Sequence, residues 1–273
     1  MDIDIDWIRP ALDAAQREDG ELWPDEAAAL VVAGPRLSGG SFSPAEHWAA
    51  LARLLMQPWP SHGLEALRVT GVLRAWLPEV HALFGVPQLC DGPEPIDVGL
   101  HQLRVVDVAA HEGLPLAVRF AALMHKIGKG GTPRDIWPSH YKHEQRALAL
   151  LEGLGDRFAV PEALLDLSRL VVLEADRVHR VSDMRAGAMA AMLERLDAVG
   201  QPERFSQLLD VCTCDHAAHP GHHAADYIKA PRLRAALHAY VGVPDSGQDA
   251  DTLLSLRAEA IAQAMGSMGR WAA

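Results

Sequence analysis

Alanine and leucine recur along this chain at three- and four-residue intervals, and the strict apolar–polar alternation of a half-buried strand is scarce. That helical period places short helices at 10–16 and 25–32, the second ended by the Gly34-Pro35 break. The stretch 37–43 is a loop by composition. Ser43 then stands as an N-cap, with Pro44 at the first helical position and Glu46 three residues after the cap, completing a capping box. That helix runs to about Met56, where the Gln57-to-Pro60 break stops it. One or two more helices occupy 61–84 around Pro78. The proline- and glycine-rich segment 85–95 is the clearest internal boundary. Beyond it, helices fall at about 99–111, 115–127, 143–154, 161–175, 184–199, 202–217, 231–241 and 250–268. The expected fold class is all-α.

Composition narrows the function classes. Of 273 residues, 49% are hydrophobic and 22% charged, the balance of a globular chain. No apolar run reaches the ~18 residues of a membrane span, and the acidic start lacks the basic opening of a signal peptide. The expectation is a cytoplasmic protein with no membrane partner. Lys and Arg total 25 against 36 Asp and Glu, a net charge of −11, which argues against broad DNA binding. Cys90, Cys212 and Cys214 cannot all pair. The sequence shows no P-loop, GxGxxG, GxSxG or HExxH motif. What stands out is 14 histidines, several of them clustered.

The helix from Pro115 is apolar almost all round and ends in His125-Lys126, followed by Gly128-Lys129-Gly130, so it delivers polar groups into an interior cleft. The plainer reading is a satisfied core histidine and a solvated lysine at a helix C-terminus. His140 and His143, three apart, share a face if their segment is helical. The run Cys212-Thr213-Cys214-Asp215-His216, with His219, His222 and His223 in reach, invites a zinc reading. It lacks the two separated ligand pairs of structural zinc sites, so two buried cysteines and an acidic ligand, Asp215, fit it better. Asp2, Asp4 and Asp6 read as a solvated tail.

The order of these residues resembles the HD-domain metal-dependent phosphohydrolases, and in particular the C-terminal HD domain of bacterial CCA-adding tRNA nucleotidyltransferases. The resemblance rests on 77–88, on Arg-Phe-Ala-Ala-Leu-Met-His-Lys-Ile-Gly-Lys-Gly at 119–130 and on Ile-Trp-Pro-Ser-His at 136–140. Weaker support comes from 166–171 and 214–227. It covers roughly 43–240. It implies an HD-domain helical bundle with an N-terminal helical neck-like extension, divided as a 1–42 extension, a 43–95 neck-like region, a 96–240 HD-like domain and a 241–273 C-terminal helix. Two departures qualify it. Only about 42 residues precede the match, where that family carries its nucleotidyltransferase head, so CCA addition by this chain alone is not expected. The HD dyad itself reads His125-Lys126, and a protonated lysine repels a cation.

Carried over by position, the resemblance implies metal ligands at His101, His125 and Asp215. It places Lys126, Lys129, His140 and His143 in catalytic positions, with His179 and Arg104 as further cleft residues. The implied cofactor is one divalent metal (Mn, Ni, Mg, Fe or Zn), or none because of Lys126. The leading expectation is a phosphohydrolase of the 2',3'-cyclic phosphodiesterase or phosphatase kind with an altered metal centre, acting on a phosphorylated small molecule or an RNA end. Two alternatives compete with it: a catalytically degenerate HD domain that binds RNA, nucleotide or protein, and a small-molecule lyase or isomerase on the same pocket. An oligomer is left open.

Overall fold

In the computed structural model, residues 5–38, 41–90, 94–181 and 184–267 are described. Asp2 and Asp4 of the acidic tail, Gly39 and Gly40 of the first loop and 91–93 of the connector lie outside them. The described residues form fourteen α-helices and one antiparallel pair of two-residue strands, so the protein is all-α. The N-terminal helices are α1 (Arg9–Ala14), α2 (Pro24–Ser38), α3 (Pro44–Leu55), α4 (Pro60–Val69), α5 (Val72–Trp76) and α6 (Pro78–His81). Strands β1 (Pro87–Gln88) and β2 (Ile96–Asp97) pinch the connector together, with Pro87 opposite Asp97 and Gln88 opposite Ile96. Then follow α7 (Val98–His111), α8 (Leu116–Met124), α9 (His143–Phe158), α10 (Glu162–His179), α11 (Ala186–Arg195), α12 (Pro202–Ala217), α13 (Lys229–Val241) and α14 (Ala250–Ser267).

Local signals explain most boundaries. The capping box at α3 is complete: Glu46 N donates to Ser43 Oγ at 3.3 Å, and Ser43 N donates to Glu46 Oε2 at 2.7 Å. Pro35 does not end α2, as its sequence position suggests, but sits inside its last turns. The bond it removes would have ended on the carbonyl of Val31, which is exposed and can turn to water. The pair His140 and His143 does not share a helix face. His140 and Lys142 both have positive φ, 51° and 61°, so the chain turns sharply before α9 begins at His143.

Apolar packing does not stop at the connector. Leu103, Val106, Phe120, Leu123 and Met124 pack into the same cluster as Leu51, Leu54, Leu67 and Trp76 of the N-terminal helices. The opposite faces of α7 and α8, through Val105, Ala109, Val118 and Ala122, pack into a second cluster with α10 to α14. These two helices are therefore a wall common to both clusters. Arg119 of α8 reinforces it. Its guanidinium donates to Leu55 O and Gln57 O beyond α3, and to Ala110 O and Leu114 O at the end of α7. Four carbonyls in and just beyond two helix C-termini thereby share one buried cation. Helix α14 packs on α11 and α13.

Candidate functional site

Four helix ends meet on one carboxylate. Asp97 caps α7 by accepting from Leu100 N at 2.8 Å, and the first turn that follows carries His101 and Gln102, both fully buried. α8 is buried from Val118 onward and stops at Met124, leaving His125 and Lys126 at its C-terminal mouth. α12 presents Asp215 in its last turn, and α10 ends on His179. Asp215 Oδ1 lies 2.7 Å from His101 Nε2 and 3.3 Å from His125 Nε2, and it accepts a short bond from the Lys126 ammonium. Its Oδ2 lies 3.1 Å from His179 Nε2, out of line for a hydrogen bond.

The charges follow from burial. Burial raises the Asp215 pKa, but Lys126, and then the His101 and His125 rings, more than reverse that and hold it well below the usual carboxylate range. Burial, reinforced by Lys126, pushes His101 down to about 3, so its ring is neutral near pH 7. Its one proton is then on Nε2, donated to Asp215, and its buried Nδ1 has no partner. His125 is likewise pushed down, first by burial. Gln102 Nε2 donates to Ala122 O. His125 Nδ1 lies 2.8 Å from that carbonyl, which can only accept, so the neutral ring carries its proton on Nδ1 and turns its Nε2 lone pair toward Asp215. Tyr227 donates its hydroxyl to His179 Nδ1 at 2.9 Å.

This arrangement does not fit the implied metal. His101, His125 and Asp215 do converge, but His101 turns an N–H, not a lone pair, toward the carboxylate. The position a cation would take beside Asp215 Oδ1 is held by the Lys126 ammonium. A divalent ion would have to evict a bonded charge of its own sign. Two groups among the described residues do place ligand atoms within 4.8 Å of one another: His101, Asp215 and His219, and His143, Glu144 and Asp176. The first of them contains the carboxylate that Lys126 occupies.

No protein-family profile matches the chain. Whole-protein comparison does find relatives. The chain is 41% identical over 235 residues to a multifunctional CCA protein of Cupriavidus taiwanensis, covering 82% of this chain and 56% of that protein. It is 45% identical over 196 residues to that of Burkholderia cenocepacia, covering 72% and 48%. It is 40% identical over 273 residues to that of Burkholderia pseudomallei, covering 95% and 65%. The chain is a relative of the bacterial multifunctional CCA proteins. It spans about half the length of the first two and 65% of the third. This overturns the expectation of an HD-type phosphohydrolase, because the relatives are named for CCA and not for phosphate hydrolysis. The binding-module and lyase alternatives gain nothing from the comparison.

The remaining expected residues scatter around this CCA-protein cleft. Lys129 bonds Gln88 Oε1 at 2.9 Å, and burial, then Lys126, push it down to about 8. His140 is a bracket in the loop. Its Nε2 donates to Pro87 O at 2.8 Å and its Nδ1 lies 3.1 Å from Thr132 Oγ1, so neither nitrogen is open to a substrate. His143 lies at the start of α9, 3.5 Å from Glu144, with its pKa lowered by burial and Lys129. Arg104 is exposed and lines a groove with Asp107, His111 and His219, the last of which lies within 4.8 Å of Asp215. Burial raises the Cys214 thiol to about 12 and Cys212 further, so neither is a thiolate ligand. Gln102 and Tyr227 went unread in the sequence. The available signal for Gln102 was an amide beside His101 on an otherwise apolar helix face; Tyr227 had only its place at the end of the 214–227 match. No helix among the described residues is long and apolar enough to cross a membrane.

Proposed function

We propose that this chain takes part in CCA-directed work on tRNA, and that its share of the work is to hold the RNA end. The observation that carries the proposal is the 40% identity to a multifunctional CCA protein across 95% of this chain. A pocket at the start of α9 supports it. A cavity of about 490 Å3 opens there, lined by Tyr141, Lys142, His143, Arg177 and Arg180 among others. Tyr141 is 67% exposed and offers a face on which an unpaired base can stack. Lys142, Arg177 and Arg180 are cations suited to phosphates, gathered in one place on a chain of net charge −11. Glu144 and Asp176 line the same pocket and disfavour indiscriminate anion binding.

Fluorescence anisotropy with labelled tRNA, the same tRNA lacking its last three nucleotides, and a DNA hairpin of equal size tests this reading. Binding should favour RNA, respond to the 3' end and weaken steeply with salt. Lys142→Glu and Arg180→Glu should each weaken it about tenfold or more through lost phosphate contacts. No binding, or equal binding to RNA and DNA, refutes it.

A further inference from the structure

The C-terminal end of α12 carries three histidines beside the Asp215 centre, of which His219 also packs on His101, with ring centroids 4.4 Å apart. His216 closes the helix, His219 follows its last turn, and His222 stands after Pro220 and Gly221, whose φ of 79° folds the chain back. The three are therefore spaced one per turn and then returned toward the helix. His222 Nδ1 lies 3.2 Å from His216 Nε2. Two imidazole nitrogens on one tetrahedral ion, each at ~2.0–2.1 Å, stand about 3.3 Å apart. The ring centroids of His216 and His222 are 4.5 Å apart and nearly perpendicular, at 84°. His219 is the next ring, with its centroid 6.1 Å from that of His222. All three are half-buried, which excludes bulk water without closing the site.

We propose that His216, His219 and His222 form a binding site for a late first-row transition-metal ion of the Zn2+ or Ni2+ class. Imidazole is the natural donor for such ions, and an all-nitrogen set disfavours Mg2+ and Ca2+. His216 and His222 already stand at ligand separation. His219 completes the set by turning from the His101 ring, 4.4 Å away, toward His222, 6.1 Å away. Asp215 belongs to the neighbouring centre, bonded to Lys126, and the buried thiols of Cys212 and Cys214 stay protonated. The site thus depends on neither the dyad position nor the cysteines, and it is independent of the proposed work on RNA.

The test is Co2+ titration of the untagged full chain, followed by visible absorption, with Zn2+ added to displace it. The expected result is one equivalent of bound Co2+ with the intense bands of a four-coordinate ion, lost when Zn2+ is added. His216→Ala and His222→Ala should each weaken binding by about 100-fold, at or beyond the upper end of the 10–100-fold known for outer-shell groups. His223→Ala, at an exposed neighbour, and His143→Ala should leave it unchanged. If an alanine variant loses its helical circular dichroism, His222→Gln repeats the measurement with a polar side chain of similar bulk. Absence of Co2+ bands at millimolar ion would show a hydrogen-bonded histidine pair only and overturn the proposal. So would binding that survives His216→Ala and His222→Ala, or that is lost in His143→Ala.

Discussion

At the residue scale, Lys126 decides the character of the centre. It is an ammonium, 8% exposed, bonded to an equally hidden carboxylate. Removing one member of such a pair leaves a buried charge uncompensated and typically costs ~3–5 kcal/mol. Lys126→Met should lower stability by about that much in urea unfolding, because Asp215 would keep only histidine neighbours. Lys126→Asp places two carboxylates together, so added Mn2+ should raise its melting temperature and leave that of the unaltered protein where it is. A rise in both would show that the ammonium is not a barrier to the ion. The histidines give the pH response. His101 titrates at about 3 in the fold and near 6.5 unfolded, so between those values the unfolded chain binds the extra proton. Stability should therefore fall as pH drops below about 6.5, by about 2 kcal/mol from this residue alone at pH 5. The depressed Asp215 stabilises the fold above about pH 4, and its contribution is lost below that. Denaturant midpoints across pH 4–8 check the slope, and His101→Gln should flatten it above pH 5.

At the scale of elements, the sequence spoke most clearly where a single turn carries its own signal. Ser43, Pro44 and Glu46 announce the start of α3, and both reciprocal bonds form. Ser43→Ala should cost about 1 kcal/mol in thermal or chemical unfolding. The convergence of His101, His125 and Asp215 was legible only through resemblance, since the three lie on separate helices and no local spacing reports it. His140 was misread because its backbone enters the left-handed region, which no apolar period encodes for a histidine. Gly128 shows a further reason: a side chain there would collide with the His143 carbonyl, so this glycine lets the turn after α8 lie against α9. A single sequence marks such a glycine as a turn and does not say what it approaches. Pro35 errs the other way, being a strong break signal that an exposed last turn absorbs.

At the scale of the whole molecule, α7 and α8 serve two packed clusters at once. We expect a chain beginning at residue 96 to fail as an independent unit, because Leu103, Val106, Phe120, Leu123 and Met124 would lose their cover. Expression of 96–273 should give aggregated or molten protein, read by dye binding and by loss of the near-ultraviolet dichroism. A sharp cooperative melt from that fragment would show that the neck-like helices only decorate the bundle. Arg119 makes the same coupling polar, since its four carbonyl partners come from the ends of α3 and α7.

Lys126 has one more consequence. A metal ion is in exchange with its surroundings, and a site that needs one is only as full as the local supply allows. A cation tethered by its own main chain is made with the protein in one-to-one ratio, and neither chelators nor dilution remove it. The Asp215 carboxylate thus has its countercharge the moment the chain folds, whatever the ionic inventory of the cell.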